Sequence, residues 1–215
     1  MGNRLRRRKP SLDPRPRILI VCEGEKTEPI YFEALAHEEE VRLVRIEIVR
    51  SGGVPKSNVE QAVSMKRAAQ REAKGQRDAN LAYDEVWCVF DVDEHPHLAE
   101  ALDQAQANAI HVALSNPCFE LWIFLHFQDQ RAHIERHKLQ SACRQHLPGY
   151  SKVAAYAELQ PRYGEAIRRA VALANWQEQQ GRKHANPSTG VHLLTERLRN
   201  LGKAALLREL EEKRR

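Results

Sequence analysis

Two short runs of apolar, largely β-branched residues constrain the fold of this chain most: RILIVC at 17–22 and EVWCVF at 85–90. Unbroken apolar runs of this length suit strands buried on both faces, as in a parallel sheet covered by helices. The segments around them alternate in kind. After the first run, Thr27 is placed to cap a helix with Pro29 in its first turn, reaching about His37. Residues 41–49 (VRLVRIEIV) largely alternate apolar and charged, the pattern of a more exposed strand. Ser57 and Glu60 form a capping-box pattern ahead of a long helix to about Gln76. A helix at 98–107, a strand at 109–114 and a short buried helix in CFELWIFLHF complete a β-α-β-α-β-α-β-α order over the first 130 residues. That order predicts an α/β fold with a mostly parallel sheet and helices on both faces.

The rest divides by composition. Residues 1–16 are Arg- and Pro-rich with almost no hydrophobes and read as a disordered basic tail. Residues 17–130 form the α/β domain. Residues 131–215 carry helical patterns only, at about 134–146, 153–159, 164–180 and 191–212, and read as an all-helical extension packed on the sheet. Charge follows the same division. Up to Arg17 there are 7 Lys and Arg against 1 acid, from Ile18 to Gln130 there are 10 against 20, and from Arg131 onward 17 against 8. Clustered carboxylates attract hard divalent cations, and a basic surface steers polyanions. The same charges also serve simply to solvate helix faces.

No apolar run approaches the roughly 18 residues needed to span a bilayer. The run after the basic N-terminus is shorter than the roughly 7–15 residues of a signal-peptide core, so the expected location is the cytoplasm. Of the four cysteines, Cys22 and Cys88 sit inside apolar runs and read as buried thiols, and no CxxC pair is present. His133, His137, Cys143 and His146 are a weak zinc pattern without a second tight ligand pair. There is no Walker A loop, GxGxxG or GxSxG, so NTPase, dinucleotide and α/β-hydrolase chemistry lack support.

Two acidic motifs occupy equivalent places: Glu23-Gly24 after the first apolar strand, and Asp91-Val92-Asp93-Glu94 after the third strand. In parallel sheets, functional groups gather beyond the carboxyl ends of the strands. On extended chain the two acids of Asp-x-Asp face the same way and are able to share a cation. If these strands are neighbours, the acids converge and call for Mg²⁺ or Mn²⁺. Asp-x-Asp after a strand also occurs in haloacid-dehalogenase-type phosphatases, but there it continues Gly-Thr near the start of the domain. Glu120, among Phe119, Leu121 and Trp122, reads either as a further site carboxylate or as half of a structural salt bridge. In the basic part, Lys152, Arg168, Lys183, Asn186, Ser188 and Thr189 are candidates to bind phosphate, Ser188 and Thr189 equally being ordinary helix caps.

Strand-Glu23-Gly24 followed by strand-Asp91-x-Asp93 resembles a Toprim domain. More narrowly, VCEGEKTEPIYFEAL, VFDVDEH, SNPCFELWIFLHF and NPSTGVHLLTERL together resemble the RloB family, from Arg17 to about Leu198. The resemblance implies a Toprim-like fold and a role in abortive infection and antiphage defence, beside an ATPase partner of the RloA/ABC type. It implies Glu23 as general acid/base or metal-linked carboxylate and Asp91 and Asp93 as Mg²⁺ or Mn²⁺ ligands, with Glu120 and Gly24 beside them. The reaction implied is phosphodiester cleavage of RNA, tRNA among the candidates, or of DNA. Many Toprim domains carry a third acid where this chain has His95; Glu94 or Glu120 are the substitutes at hand. The rival expectation is a non-catalytic module that uses the same fold to bind an ATPase.

Overall fold

The computed structural model describes residues 15–92, 97–147 and 156–214. Its elements run β1 (Arg17–Cys22), α1 (Thr27–Ala36), β2 (Arg45–Arg50), α2 (Pro55–Gln76), β3 (Glu85–Asp91), α3 (Leu98–Ala107), β4 (His111–Asn116), α4 (Glu120–Leu125), α5 (Arg136–His146), α6 (Tyr156–Leu159), α7 (Tyr163–Gln179), β5 (Ser188–Thr189) and α8 (Val191–Lys213). The sheet order is β2-β1-β3-β4-β5. The first four strands are mutually parallel, and β5 is antiparallel to β4.

The two apolar runs are therefore neighbours inside the sheet, with Cys22 opposite Val89. Period-two alternation sends their side chains to two separate cores. Leu19, Val21, Cys88 and Phe90 pack with residues of α2 and α3. Ile18, Ile20, Trp87 and Val89 pack with residues of α1, α4, α7 and α8. The late helices thus complete the core on one face of the sheet. All four cysteines are free and buried, and burial pushes the Cys22 and Cys88 thiols up.

Three local expectations are corrected. Residues 41–44 form a turn and β2 begins at Arg45. Val41, Leu43 and Val44 are buried beneath other elements, so their alternation reflects anchoring and not strand pleat. Helix α2 starts at Pro55, ahead of Ser57, because proline suits the first helical turn; Ser57 Oγ instead donates to the Val54 carbonyl at 2.9 Å. The C-terminal region is not purely helical, since Ser188–Thr189 add a fifth strand at the β4 edge.

His126, at the end of α4, is 2% exposed and lies 2.9 Å from the Trp122 carbonyl through Nδ1. Burial lowers its pKa from 6.5 to about 4, against the opposing pull of the Trp122 and Ile123 carbonyls. Its folded value is depressed, so below pH 6.5 the unfolded chain takes up a proton that the folded chain refuses. Stability from this group is complete above that pH, is lost as pH falls towards 4, and levels off below it. By about pH 5.5 the loss is about 1.4 kcal/mol. Chemical denaturation at about pH 7.5 and about pH 5.5 is expected to show a smaller acid loss in His126→Gln than in wild type; equal losses would refute the assignment.

Candidate active site

At the carboxyl end of the sheet the ladder between β1 and β3 continues one residue further, with the Glu23 amide donating to the Val89 carbonyl at 2.9 Å. This places Glu23 beside Asp91, the last residue of β3. The Asp91 amide donates to Glu23 Oε2 at 3.2 Å. Two acids 68 positions apart are thereby joined by backbone geometry that parallel strands impose.

These two acids line a cavity of about 340 Å³ together with Gly24, Glu28, Glu120 and Arg136. Glu28 lies in the first turn of α1, and Glu120 and Arg136 open α4 and α5. Glu28 and Glu120 are each 7% exposed. A Cβ on Gly24 would overlap the Glu28 carboxyl group, its carbon only 2.6 Å away, so a glycine here lets that carboxylate fold back against the backbone. Arg136 donates to Asp91 Oδ2 at 3.1 Å and to the Pro117 carbonyl at 3.4 Å. Gln140, one turn along α5, donates to Glu120 Oε1 at 3.3 Å. Burial first, and Glu28 second, push the Asp91 carboxyl well above its ordinary range; Arg136 opposes them, and Glu120 and Glu23 add to the rise. The pocket is a concentration of negative charge, five lining carboxylates that Arg136 and Lys26 only partly offset.

The donor chemistry suits a hard divalent cation. The cavity is lined by carboxylates, with no Cys or His among its described lining residues. Glu23 and Asp91 are the described residues that would hold such an ion, Asp93 being the third implied ligand. Asp93, with Glu94, His95 and Lys152, lies outside the described residues. Among the described residues alone, no group of three or more His, Cys, Asp or Glu is arranged to hold a metal ion. That includes the histidines of α5 and its approach: His137 is paired with Glu135, His146 stacks on Phe127, and Cys143 is buried.

The other candidates fall elsewhere. Arg168 is on an exposed face of α7, paired with Glu165. Asn186 clamps the Ile134 backbone, accepting from its amide at 3.1 Å and donating to its carbonyl at 2.9 Å. Lys183, Ser188 and Thr189 line a second cavity at the edge of the sheet. Thr189 Oγ1 also accepts from the Val191 amide at 3.3 Å, just ahead of α8, whose cap position is Gly190, and it meets Ser115 Oγ at 3.0 Å. Glu28, Arg136 and Gln140 were not singled out by sequence reasoning. Glu28 stands in EGEKTEP, five residues after Glu23, where an acid in a first helical turn is unremarkable. Arg136 is 45 residues from Asp91 and carries no local signal.

Comparison with curated proteins and with solved structures gave no match. The sequence model of one family, described as RloB-like protein, matches residues 18–198. That span includes both acidic strand ends, Glu28, Glu120, Arg136 and the Ser188–Thr189 strand, and the chain belongs to the RloB-like family.

Proposed function

We propose that this RloB-like protein is a Toprim-like phosphodiesterase that cleaves RNA or DNA with Mg²⁺ or Mn²⁺, acting in the cytoplasm in antiphage defence beside an ABC-type ATPase. The observation that carries the reading is the meeting of Glu23 and Asp91 across adjacent parallel strands, in a buried acidic cavity. When bound, a divalent ion supplies charge compensation and polarises phosphoryl oxygens. Glu23 is placed to accept or return a proton at its carboxylate, whose Oε2 accepts from the Asp91 amide. Asp91 would hold the cation, with Asp93 the further ligand that the family resemblance implies. Arg136 donates to Asp91 at the cavity wall, and a guanidinium there would suit a phosphate oxygen. Glu120, steadied by Gln140, keeps the wall acidic. The basic C-terminal region, 17 Lys and Arg against 8 acids, draws in the polyanion.

The test is cleavage of end-labelled tRNA, single-stranded RNA and duplex DNA with Mg²⁺ or Mn²⁺. One substrate class is expected to be cut, and EDTA to abolish cutting. Asp91→Asn is expected to lower the rate by at least about 10²-fold, since charge stabilisation by a held cation amounts to several kcal/mol. The Arg136–Asp91 pair also suits the alternative of an interaction module whose acids are structural. In that case no substrate is cut, even with the ATPase added, and partner binding survives EDTA and Asp91→Asn.

A further inference from the structure

The loop at 180–187, between α7 and β5, is fastened at several points. Asn116 donates to the His184 carbonyl at 2.9 Å. Gln177 donates to the carbonyls of Ala185 at 3.3 Å and Pro187 at 2.7 Å. Asn186 accepts from the Ile134 amide at 3.1 Å and donates to the Ile134 carbonyl at 2.9 Å, which ties the loop to the segment ahead of α5. His184 is set at φ 61°, in the left-handed region that a residue other than glycine adopts at a cost. A loop that only solvates the surface needs no such ties. What this loop displays is positive charge. Arg182 and Lys183 are exposed, as is Arg131 in the segment that Asn186 clamps, and none of the three is paired with an acid among the described residues. Elsewhere exposed cations are taken up, Arg50 by Glu33, Lys56 by Glu100 and Arg168 by Glu165. Of the acids near the loop, Glu135 is engaged by Lys138 and Asp129 faces Arg169, while Glu178 lines the second cavity beside Arg182 and Lys183.

The loop stands beside the acidic cavity. Asn116, which holds it, is the last residue of β4 and pairs with Ser188 of β5. The next residue, Pro117, accepts through its carbonyl from Arg136, whose guanidinium also reaches Asp91. On the other side of the cavity Lys26, exposed, lines it from the loop after β1. Cations therefore stand at both ends of the row β1-β3-β4-β5, with the acidic cavity between them. Three strand spacings make that row about 14 Å long, a length that several successive phosphates of one strand would span. A fixed array of cations on either side of an acidic centre suits a polyanion that must be brought over carboxylates which alone would repel it.

We propose that a polynucleotide backbone lies across the carboxyl ends of the strands, from Lys26 over the acidic cavity to Arg131, Arg182 and Lys183, with the fastened loop as the phosphate clamp on the β5 side. It rests on the proposed function only in taking nucleic acid as the ligand. Phosphate contacts are common to RNA and DNA, so fluorescence anisotropy of the full chain, in EDTA, uses labelled single-stranded RNA, single-stranded DNA and duplex DNA as probes. At least one is expected to bind with a Kd below about 100 μM at about 0.05 M salt. Arg182→Glu with Lys183→Glu is expected to weaken binding by about tenfold or more and to reduce the slope of log K against log salt by about 2. Arg71→Glu with Lys74→Glu makes the same change of net charge at exposed positions near the far end of α2, and is expected to weaken binding by less than about threefold because salt screens distant charges. All four positions are exposed, so melting temperatures are expected to stay at the wild-type value. Where a probe is cut with Mg²⁺ or Mn²⁺, the loop variant is expected to raise KM and leave kcat within about twofold. Loop-dependent binding without any cleavage would keep the clamp and remove the nuclease reading. Cleavage with equal effects of the two double variants would overturn the clamp and leave the nuclease reading standing. No binding of any probe at about 100 μM protein would also overturn the clamp.

Discussion

Glu23→Gln is expected to lower nucleic-acid cleavage by about 10²-fold or more while leaving the melting temperature at or slightly above that of wild type. The amide is nearly isosteric with the carboxylate and retains a carbonyl oxygen to accept from the Asp91 amide, now 3.2 Å from Glu23 Oε2. What it loses is the charge and the ability to take up a proton. General acid–base catalysis of this kind is worth about 10²–10⁴ in rate. The effect on folding has the other sign. Glu23 is one of the charges that raise the Asp91 pKa, together with Glu28 and Glu120, so neutralising it relieves repulsion among buried acids. Lower activity with equal or greater stability is the mark of a carboxylate kept for chemistry, whereas a structural carboxylate would lose stability. Cleavage assays and thermal melts on the same preparations decide between them. Activity within about twofold of wild type, in a metal-dependent enzyme, would remove Glu23 from the reaction.

How much of this site is legible in the sequence depends on the distance over which each residue is held. β1 and β3 are legible because burial on both faces leaves an unbroken apolar run, and the acids that follow them are legible because parallel strands point their carboxyl ends one way. Their contact is a tertiary fact: it needs β1 and β3 to be neighbours, which the β2-β1-β3-β4-β5 order supplies. Arg136 and Gln140 arrive from a helix of the basic region, whose apolar positions Leu139 and Cys143 declare only that one face is buried. β5 is two residues long and has no periodicity to read. It is held against β4 by contacts of its approach: Asn116 donates to the His184 carbonyl at 2.9 Å, and Gln177 holds the carbonyls of Ala185 and Pro187. The alternation at 41–49 misleads for a related reason. The apolar side chains at its start are fixed by what packs on them and not by a strand partner.

That packing makes Gly202 a second position with a large expected effect. Gly202 is buried in the middle of α8, where helix propensity alone favours alanine by about 1 kcal/mol. Here the helix lies directly on the turn before β2. A Cβ at 202 would overlap the Glu40 carbonyl oxygen and stand 2.8 Å from the Glu40 carbonyl carbon and 3.0 Å from Val41 Cα. These are backbone atoms, so relief requires α8 or the turn to move as a body. One turn earlier on the same helix, Arg199, 9% exposed, pairs with Glu38 at 2.5 Å and Glu40 at 2.8 Å, and its guanidinium lies 3.9 Å from the centre of the Tyr163 ring. Moving α8 away strains both pairs, of which Arg199–Glu38 is buried and Arg199–Glu40 partly exposed. Overpacking costs about 1–3 kcal/mol, and breaking a buried ion pair costs about 3–5 kcal/mol. Their combination outweighs the propensity gain, so Gly202→Ala is expected to destabilise the protein by at least about 2 kcal/mol, a fall of at least roughly 4–8 °C in melting temperature for a chain of this size. Gly75, inside α2, is the matched control, since a Cβ there meets nothing within 4 Å. Gly75→Ala is expected to raise stability by about 0.5–1 kcal/mol through propensity alone. Opposite signs for the two substitutions in one set of melts would tie the packing of α8 to the turn at Glu40–Val41, and a Gly202→Ala protein melting at or above wild type would refute it.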